Sequence, residues 1–324
     1  MEQVLAAMSR GGNDVDECNQ FAPNRHVMSR LARPSIEAQV ARGLLVCPKT
    51  RQPLVLKQSS LETLDGEHSY PLVAGVPLLF ADEKRVRNYL GLQQGRMVTE
   101  YTSPRSSSIK AAWRSLMSEV GDMRSSASEE AFQSIFSGLS AESLCISVGG
   151  GPTRVHPALV NVNLGLFPNV DVAADAYQLP YADGAADAIH CEAVLEHLEF
   201  PDGAVKEMHR VLRPGGRLFA ATPFLQGFHG YPDHYQNFTL TGHRRLFERA
   251  GFSVSSAGTC VGPTFALRDL ATNYIRRAIP GSFGKVASAL YSLCTVPLLY
   301  LDRTANRRDS AADLASTTYV SAVK

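Results

Sequence analysis

The sequence predicts an α/β fold with a mostly parallel sheet, preceded by a small β module. From Ser143 onward, short apolar runs alternate with turn residues and with segments of helical periodicity. Strands that alternate with helices form a parallel sheet covered on both faces. Residues 318–323 alternate in polarity at the end of the chain, as expected for a final edge strand. The length of 324 residues is enough for one large domain and one small one.

Six further strands are predicted from apolar runs that turn residues interrupt. They are Leu144–Val148, Leu159–Asn163, Val170–Ala174, Asp187–Cys191, Arg217–Ala221 and Phe252–Ala257. Between the fourth and the fifth, apolar residues recur at helical spacing from Ala204 to Leu212, and Pro214-Gly215-Gly216 ends that helix. A second helix is predicted to begin at the capping residue Thr241 and to stop at Gly251.

The composition changes along the chain before the main domain. Residues 1–34 are polar without a sustained period and are expected to form a flexible tail. Residues 35–83 contain short strand-like runs with turn residues between them. These runs predict the small β module.

The remaining chain divides into a linker and the main domain. Residues 84–140 are polar and helix-prone, with helical patterns at Ala111–Val120 and Glu129–Leu139, and predict a linker that covers part of the main domain. Residues 141–324 form the main domain. A mostly helical insertion is predicted around residues 266–307, where it would act as a substrate lid.

Composition and charge limit the classes of function. The formal net charge is +1, so no electrostatic argument favours a nucleic-acid partner. The six cysteines lie far apart without a Cys-x-x-Cys pair, which is typical of free thiols in a reducing compartment. The uncharged run between Lys285 and Asp302 is shorter than the ~20 apolar residues of a spanning helix. We therefore expect a cytoplasmic protein, with attachment to a membrane surface through this run as the alternative.

Four motifs near the ends of the predicted strands indicate the chemistry. Gly149-Gly150-Gly151 follows the first strand, at the sheet edge where open α/β proteins bind ligands. Glycine lets the backbone turn tightly and approach a ligand, but a structural turn by itself also explains three glycines. Asp175 ends the third strand. Residues 193–197 (Ala-Val-Leu-Glu-His) follow the fourth, and residues 211–216 (Val-Leu-Arg-Pro-Gly-Gly) precede the fifth.

In this order, the four motifs resemble those of the class I S-adenosylmethionine (SAM)-dependent methyltransferases of type 11. The resemblance implies a Rossmann-like sheet with an antiparallel final strand, SAM as the cofactor, and a glycine turn against its methionine part. It implies that Asp175 accepts a hydrogen bond from the adenine amino group, with a solvated loop aspartate as the alternative. The cofactor-binding residues implied are Gly149, Gly150, Gly151, Asn163, Asp175, Ala176 and Glu192.

Methyl transfer from a sulfonium is a direct displacement that needs an aligned acceptor and, for a protonated acceptor, a base. In the family, residues just after the fourth strand lie near the methyl group, which makes His197 a candidate. The loop after the fifth strand resembles a stretch of one bacterial branch and holds His229 and His234. Imidazole titrates near neutral pH, so any of the three could act as the base. Alternatively, these rings pack the loop, and Glu196-His197 only closes its turn.

The chain departs from the family pattern in three places. The links at residues 152–157 and 164–169 are much shorter than a normal parallel crossover, so the first two helices are expected to be missing. Asn163 stands where the family has an acid bonded to the ribose, and an amide offers hydrogen bonds without charge. The glycine turn is Gly-Gly-Gly-Pro instead of a spaced Gly-x-Gly-x-Gly.

Residues 44–80 resemble the zinc-ribbon proteins that activate tRNA and protein methyltransferases. A zinc-binding version would carry a second cysteine near Thr50, but only Cys47 is present, and His68 does not complete a ligand set. We therefore expect no metal site, and a module that packs on the substrate side.

The favoured function is a SAM-dependent methyltransferase acting on a small molecule, with an oxygen acceptor preferred. The alternative is a non-catalytic protein of the same fold that serves as a partner or regulatory subunit, which Asn163 and the short links would fit. A nucleotide-dependent oxidoreductase would need Gly-x-Gly-x-x-Gly opening a helix, and Pro152 argues against one.

Overall fold

The computed structural model describes residues 31–84, 124–167, 169–229 and 233–324. Most of the predicted tail and the helical pattern at 111–120 lie outside the described residues. The strands are β1 (Leu54–Leu56), β2 (Ser60–Thr63), β3 (Ser69–Val73), β4 (Val76–Leu79), β5 (Cys145–Val148), β6 (Leu159–Asn163), β7 (Val172–Ala174), β8 (Ala186–Glu192), β9 (Leu212–Pro223), β10 (Ser253–Val261) and β11 (Thr317–Val323). The α-helices are α1 (Ile36–Ala41), α2 (Ser126–Ser134), α3 (Pro201–Val211), α4 (Leu240–Arg249), α5 (Pro263–Ala278), α6 (Gly281–Cys294) and α7 (Asp302–Ala305). Three 3-10 helices span Leu195–His197, Val296–Leu301 and Asp309–Leu314.

All these strands belong to one sheet in the order β1-β2-β3-β4-β7-β6-β5-β8-β9-β11-β10. The six strands from β4 to β9 run parallel, and β11 is antiparallel to both of its neighbours. The predicted mostly parallel sheet with an antiparallel final strand is therefore confirmed.

The sequence predicted that the final strand lies at the edge of the sheet, but β11 lies inside it. Tyr319 of β11 pairs with Ala221 on one side and with Gly258 on the other. Residues 317–322 are buried, although four of the six carry a hydroxyl group. Alternating polarity predicts a half-exposed strand, but here the polar side chains are covered by neighbouring elements.

Two helix boundaries differ from the prediction. Helix α4 is capped by Thr239, whose hydroxyl accepts a hydrogen bond from the Gly242 N–H, and not by Thr241. Helix α2 is capped by Ser125 and ends at Ser134, so it lies several residues before the predicted helix at 129–139. In both cases the hydroxyl that satisfies the first free N–H groups determines where the helix begins.

Strands β1–β4 join the central sheet through β4. Strand β4 pairs in parallel with β7, with Leu78 opposite Ala173. Leu54 and Tyr70 lie in the same hydrophobic cluster as Val172 of the central sheet. The N-terminal strands therefore extend the main sheet at its β7 edge and share its core.

The expected loss of helices between β5, β6 and β7 is seen in the described residues of both links, which form turns and bends. A polar clamp takes their place. The Arg154 guanidinium lies 2.7 Å from Asp171 Oδ2 and donates to the Asn169 carbonyl, while Asp171 Oδ2 accepts the Asn161 N–H. Because Arg154 and Asp171 belong to different links, their pairing holds both short returns against β6.

The predicted helical insertion contains α5, α6 and α7. In the described residues, no single helix has the length and hydropathy to cross a membrane. The segments Gly281–Cys294 and Val296–Ala305, which meet at a bend, are together long and apolar enough to do so by length and composition alone.

Candidate functional site

The carboxyl ends of four adjacent strands bring the predicted cofactor residues to one edge of the sheet. Gly149 follows β5, Asn163 ends β6, Asp175 follows β7 and Glu192 ends β8. Strands β7, β6, β5 and β8 are neighbours in this order. The parallel arrangement therefore places these four positions side by side at the edge where α/β sheets bind ligands.

The three glycines of the turn have different roles. Gly149 has φ +71°, and a Cβ there would overlap the side chain of Val194. A Cβ at Gly150 would lie 2.5 Å from Asn161 Oδ1. Gly151 has φ +59° and no atom within 4 Å of where its Cβ would be. Two glycines are therefore required by packing of the protein on itself, and only Gly151 leaves open space beside the chain.

The residue that precedes Val194 is strained. Ala193 has φ +52°, a left-handed conformation that costs about 1–2 kcal/mol for a residue with a Cβ. Its N–H donates to the Ala221 carbonyl at the end of β9. This hydrogen bond supports the turn that places Val194 against Gly149, and such strain is common at functional sites.

Asn163 and Asp175 are half-buried beside this turn. The Asn163 amide donates to the Gly165 carbonyl, and Asp175 Oδ1 accepts the Tyr177 N–H at 3.0 Å. Ala176 packs against the main core. These bonds hold both polar side chains at the sheet edge, where their cofactor roles stay predictions.

Glu192 has protein partners on both oxygens. Its Oε1 lies 2.7 Å from Arg124 Nη2, and its Oε2 lies 3.3 Å from His190 Nε2. Burial raises the pKa of Glu192, but the hydrogen bond from His190 and the charge of Arg124 outweigh burial and lower the pKa to about 2. A direct contact of Glu192 with a cofactor stays a prediction, and the sequence did not indicate Arg124 as its partner.

The three candidate catalytic histidines come together beyond the carboxyl ends of β8 and β9. The ring centroids of His229 and His234 are 4.4 Å apart, and that of His197 lies 5.4 Å and 5.8 Å from them, respectively. His197 stands in the 3-10 turn after β8, and the other two stand in the loop after β9. Adjacent parallel strands explain why loops that are distant in sequence meet here.

Hydrogen bonds to backbone groups assign the protonated nitrogen of each ring. His197 Nδ1 lies 2.6 Å from the Asp233 carbonyl, and His229 Nδ1 lies 3.0 Å from the Gly227 carbonyl. A carbonyl only accepts, so in both rings Nδ1 carries the hydrogen, and Nε2 of the neutral form keeps a lone pair that can accept a proton or bind a metal ion. His234 is the reverse, because its Nδ1 accepts the His229 N–H and its Nε2 donates to Asn237 Oδ1.

Glu196 completes this cluster. Its side chain is fully buried, and Oε2 accepts a hydrogen bond from the Thr222 hydroxyl at 3.2 Å. Its Oε1 is buried without a hydrogen-bond partner in the described residues and lies 3.7 Å from His197 Nε2 and 3.8 Å from His229 Nε2. The interaction with Glu196 raises the pKa of His229 above its ordinary value, against the effect of burial. The sequence analysis left Glu196 out of the site, although an acid directly before a histidine at a strand end was the available signal.

The loop after β9 is anchored to the turn after β8. The Tyr235 N–H donates to the Glu196 carbonyl, and the Gln236 amide donates to the Leu198 carbonyl. The same two segments carry three exposed aromatic side chains, and the ring of one of them, Phe228, stacks on His234 at 5.7 Å between centroids; the three are Phe200, Phe228 and Tyr235. Hydrogen bonds that end on backbone carbonyls thus hold the loop that carries His229 and His234 against the turn that carries His197.

Comparison with known proteins identifies similarity in the centre of the chain. Residues 155–220 match the family model described as a methyltransferase domain. An uncharacterized chloroplastic methyltransferase of Arabidopsis thaliana is 46% identical over 63 residues, which cover 18% of this chain and 18% of that protein. The ubiquinone/menaquinone biosynthesis C-methyltransferase UbiE of Haemophilus ducreyi is 44% identical over 57 residues, which cover 17% of this chain and 22% of that protein. This chain thus spans only about a fifth of the length of these curated relatives.

A SAM-dependent methyltransferase structure from Mesorhizobium loti aligns at a TM-score of 0.35 and 12% identity, covering 60% of this chain and 97% of that one. The mostly parallel sheet with an antiparallel final strand is the arrangement that the sequence resemblance implied, whereas the position of that strand between β9 and β10 was not predicted. The sheet is Rossmann-like, and its central residues 155–220 are similar to a methyltransferase domain.

Proposed function

We propose that this chain is a SAM-dependent methyltransferase that transfers a methyl group to an oxygen atom of a small molecule. The observation that carries the proposal is the side-by-side placement of Gly151, Asn163 and Asp175 at the carboxyl edge of the sheet, the edge from which the loops of the histidine cluster also leave. The match of residues 155–220 to the methyltransferase domain supports it, because this segment includes Asn163 and Asp175.

The residues at the edge fit the nucleoside part of SAM better than its methionine part. Asp175 is a half-buried carboxylate that suits the adenine amino group, and Asn163 offers an amide to the ribose hydroxyls. Gly151 leaves open space for a ligand against the backbone. Gly149 and Gly150 are packed against protein side chains, so they would contribute backbone groups only. We expect SAM to bind more weakly than with a carboxylate at position 163.

When bound, SAM supplies an electrophilic methyl group on a sulfonium. The chain's own contribution is to align the acceptor and to receive its proton. The Nε2 atoms of His197 and His229 carry no hydrogen in the neutral rings, so each can accept a proton. The exposed rings of Phe200 and Phe228 give a small apolar or aromatic acceptor a surface to contact.

One alternative is favoured by a specific observation. The helix-free links after β5 and β6 remove the helix N-terminus that would face the cofactor, and Asn163 removes a charge. A chain that had lost SAM binding would look the same at these positions. It would serve as a non-catalytic partner or regulatory subunit of the same fold.

Calorimetric titration of the full chain with SAM and with S-adenosylhomocysteine separates the two functions. The proposal expects saturable binding of both. An absence of binding at millimolar ligand would reject the enzyme and favour the partner subunit. Where binding is found, transfer of labelled methyl groups from SAM to a panel of hydroxylated, amine and thiol acceptors tests the preference for oxygen.

A further inference from the structure

We propose that Glu196, His197 and His229 form a binding site for a divalent cation, with zinc as the best match. One donor atom from each residue lies within 4.8 Å of the other two. Two imidazoles and one carboxylate are a ligand set that zinc uses in catalytic sites. The sequence predicted no metal site, because the N-terminal strands lack the cysteine pairs of a zinc ribbon.

The separation of the donor atoms is close to what a tetrahedral ion requires. With metal–ligand distances of about 2.0–2.1 Å, tetrahedral geometry separates two donor atoms by about 3.3 Å. Glu196 Oε1 lies 3.7 Å from His197 Nε2 and 3.8 Å from His229 Nε2. Small side-chain movements would therefore bring all three atoms onto one ion.

The protonation pattern is the one that metal ligands need. His197 and His229 each donate Nδ1–H to a backbone carbonyl, which leaves Nε2 directed at Glu196. Metal-bound histidines commonly make this second hydrogen bond, which fixes the ring and its tautomer. The hydrogen bond from Thr222 to Glu196 Oε2 holds the carboxylate in the same way.

The buried carboxylate is an independent indication. Glu196 is fully buried, and its Oε1 has no hydrogen-bond partner in the described part of the chain. Leaving such an acceptor unpaired costs roughly 1–3 kcal/mol, and more when the group is charged. A cation between Oε1 and the two imidazoles would remove this penalty.

The burial of the three ligands leaves one side of the ion open. The His229 side chain is 41% exposed and that of His197 is 21% exposed. Water or an oxygen of the acceptor could complete the coordination from this side, where a metal ion lowers the pKa of a bound hydroxyl. The cation would then orient the acceptor, and the two histidines would act as ligands instead of bases. Cation binding itself does not depend on the proposed methyl transfer.

The test is titration of the chelator-treated full chain with Zn²⁺ against a competing dye, and with Co²⁺ followed by visible absorption. We expect one ion per chain and the intense visible absorption of tetrahedral cobalt. His229→Asn and Glu196→Gln should each weaken Zn²⁺ binding by about 100-fold, and Thr222→Val by about 10-fold through loss of the second hydrogen bond. The matched control is His68→Asn, a histidine of the β2–β3 hairpin, which should bind as the parent does.

Circular dichroism establishes that each variant is folded, and His229→Asn, the more exposed change, decides the outcome if Glu196→Gln does not fold. No stoichiometric binding of Zn²⁺ or Co²⁺ by the parent chain would overturn the proposal. Binding that His229→Asn and Thr222→Val leave unchanged would overturn it as well. None of these measurements uses SAM, so the result for cation binding stays interpretable even if the chain does not transfer methyl groups.

A second, independent observation concerns the outer surface of the helical insertion, and from it we infer that this surface binds anionic lipid membranes. On α6, Phe283, Val286, Leu290 and Leu293 repeat at helical spacing and are all exposed. Phe283 is 80% exposed. Soluble surfaces rarely carry so continuous a run of large apolar side chains.

The charge around this apolar stripe fits a negative lipid surface. Residues 263–308 carry seven basic and two acidic side chains, a net charge of +5 in a chain whose total is +1. Arg276, Arg277 and Lys285 flank the stripe, are exposed, and form no ion pair within the described residues. An amphipathic helix with basic flanks lies in the plane of an anionic membrane surface.

Sedimentation of the full chain with lipid vesicles tests this inference. We expect binding to vesicles of phosphatidylcholine with about one-third phosphatidylserine, and at least about 10-fold weaker binding to pure phosphatidylcholine or in high salt. Phe283→Asp and Leu290→Asp should remove binding, while the control Leu64→Asp, at an exposed apolar residue of the β2–β3 turn, should not. Equal binding by the aspartate variants would overturn the inference. The surface would instead be assigned to a second copy of this chain by two results together. The parent would not bind vesicles, and light scattering would show a parent dimer that Phe283→Asp dissociates.

Discussion

Val194 occupies the space beside Gly149 that a side chain at position 149 would need. Gly149 also has φ +71°, whereas Gly151 has a similar φ of +59° with open space around it. The two glycines therefore separate the effect of steric overlap from the effect of backbone strain.

We expect Gly149→Ala to destabilise the fold more than Gly151→Ala. Gly151→Ala causes backbone strain alone, which lowers the free energy of unfolding by about 1–2 kcal/mol, whereas Gly149→Ala causes the same strain and also overlap with Val194. The double variant Gly149→Ala/Val194→Ala should regain the stability lost to steric overlap but not the stability lost to backbone strain. Urea unfolding of the three variants measures this, and equal losses for both glycines would contradict the packing role of Val194.

Asp175→Ala should weaken SAM binding strongly, because it removes the carboxylate assigned to the adenine amino group. Loss of a hydrogen bond to a charged group corresponds to roughly 1.5–3 kcal/mol, or about 10- to 150-fold in the dissociation constant. The control is Asp183→Ala, whose exposed carboxylate pairs with Arg210 away from the sheet edge. A dissociation constant that Asp175→Ala leaves unchanged would refute the adenine assignment.

We expect buried His243 to lower the free energy of unfolding as the pH decreases. Burial lowers the pKa of His243 to about 3, against about 6.5 in an unfolded chain. Between these values the unfolded chain binds a proton that the folded chain excludes. The contribution to stability is therefore fully present above pH ~6.5 and decreases towards pH ~3, by up to about 1.4 kcal/mol per pH unit.

The variant His243→Gln tests this dependence, because glutamine can keep a hydrogen bond to Thr318, which lies 3.1 Å from His243 Nδ1. Urea unfolding at pH 7.5 and pH 5.5 should show a smaller loss in the variant than in the parent chain. Buried His156, whose pKa burial lowers to about 4, will account for part of the remaining loss. Identical losses in parent and variant would exclude His243 as a source.

Asp302 caps α5, the first helix of the insertion. Its two carboxylate oxygens accept the N–H groups of Thr264 and Phe265 at 2.9 Å and 3.0 Å, and its side chain is fully buried. Asp302→Ala should destabilise the insertion by roughly 1–3 kcal/mol, because it leaves these donors unpaired next to the helix N-terminus. Hydrogen exchange along α5 measures the effect, with the exposed Asp309→Ala as the control. Unchanged exchange in α5 would contradict the capping role.

Much of the central sheet could be predicted from local patterns. Strand β6 spans Leu159–Asn163, as predicted, because a short apolar run between turn residues has few other structures open to it. Helix α3 follows from its apolar spacing and ends at Val211, just before the predicted Pro-Gly-Gly stop. The missing helices followed from the lengths of the links alone.

The candidate site could be predicted only in part. Each of His197, His229 and His234 was found because it follows a strand, but their protonation states depend on carbonyls that fold against them from other positions. Glu196 was overlooked because its burial depends on Thr222 and on the Tyr235 backbone, which local sequence does not bring near it. The pairing of Glu192 with Arg124 joins residues 68 positions apart.

The sequence by itself determined the alternation of strands and helices, the glycine turn and the set of polar residues at strand ends, because these depend on periodicity and local turn chemistry. The tertiary structure alone decided that β4 extends the sheet at β7, that β11 lies inside it, and that an unpaired carboxylate oxygen faces two imidazoles. These outcomes depend on contacts between segments far apart in the chain, where packing and the satisfaction of buried polar groups select one arrangement among many that local patterns allow.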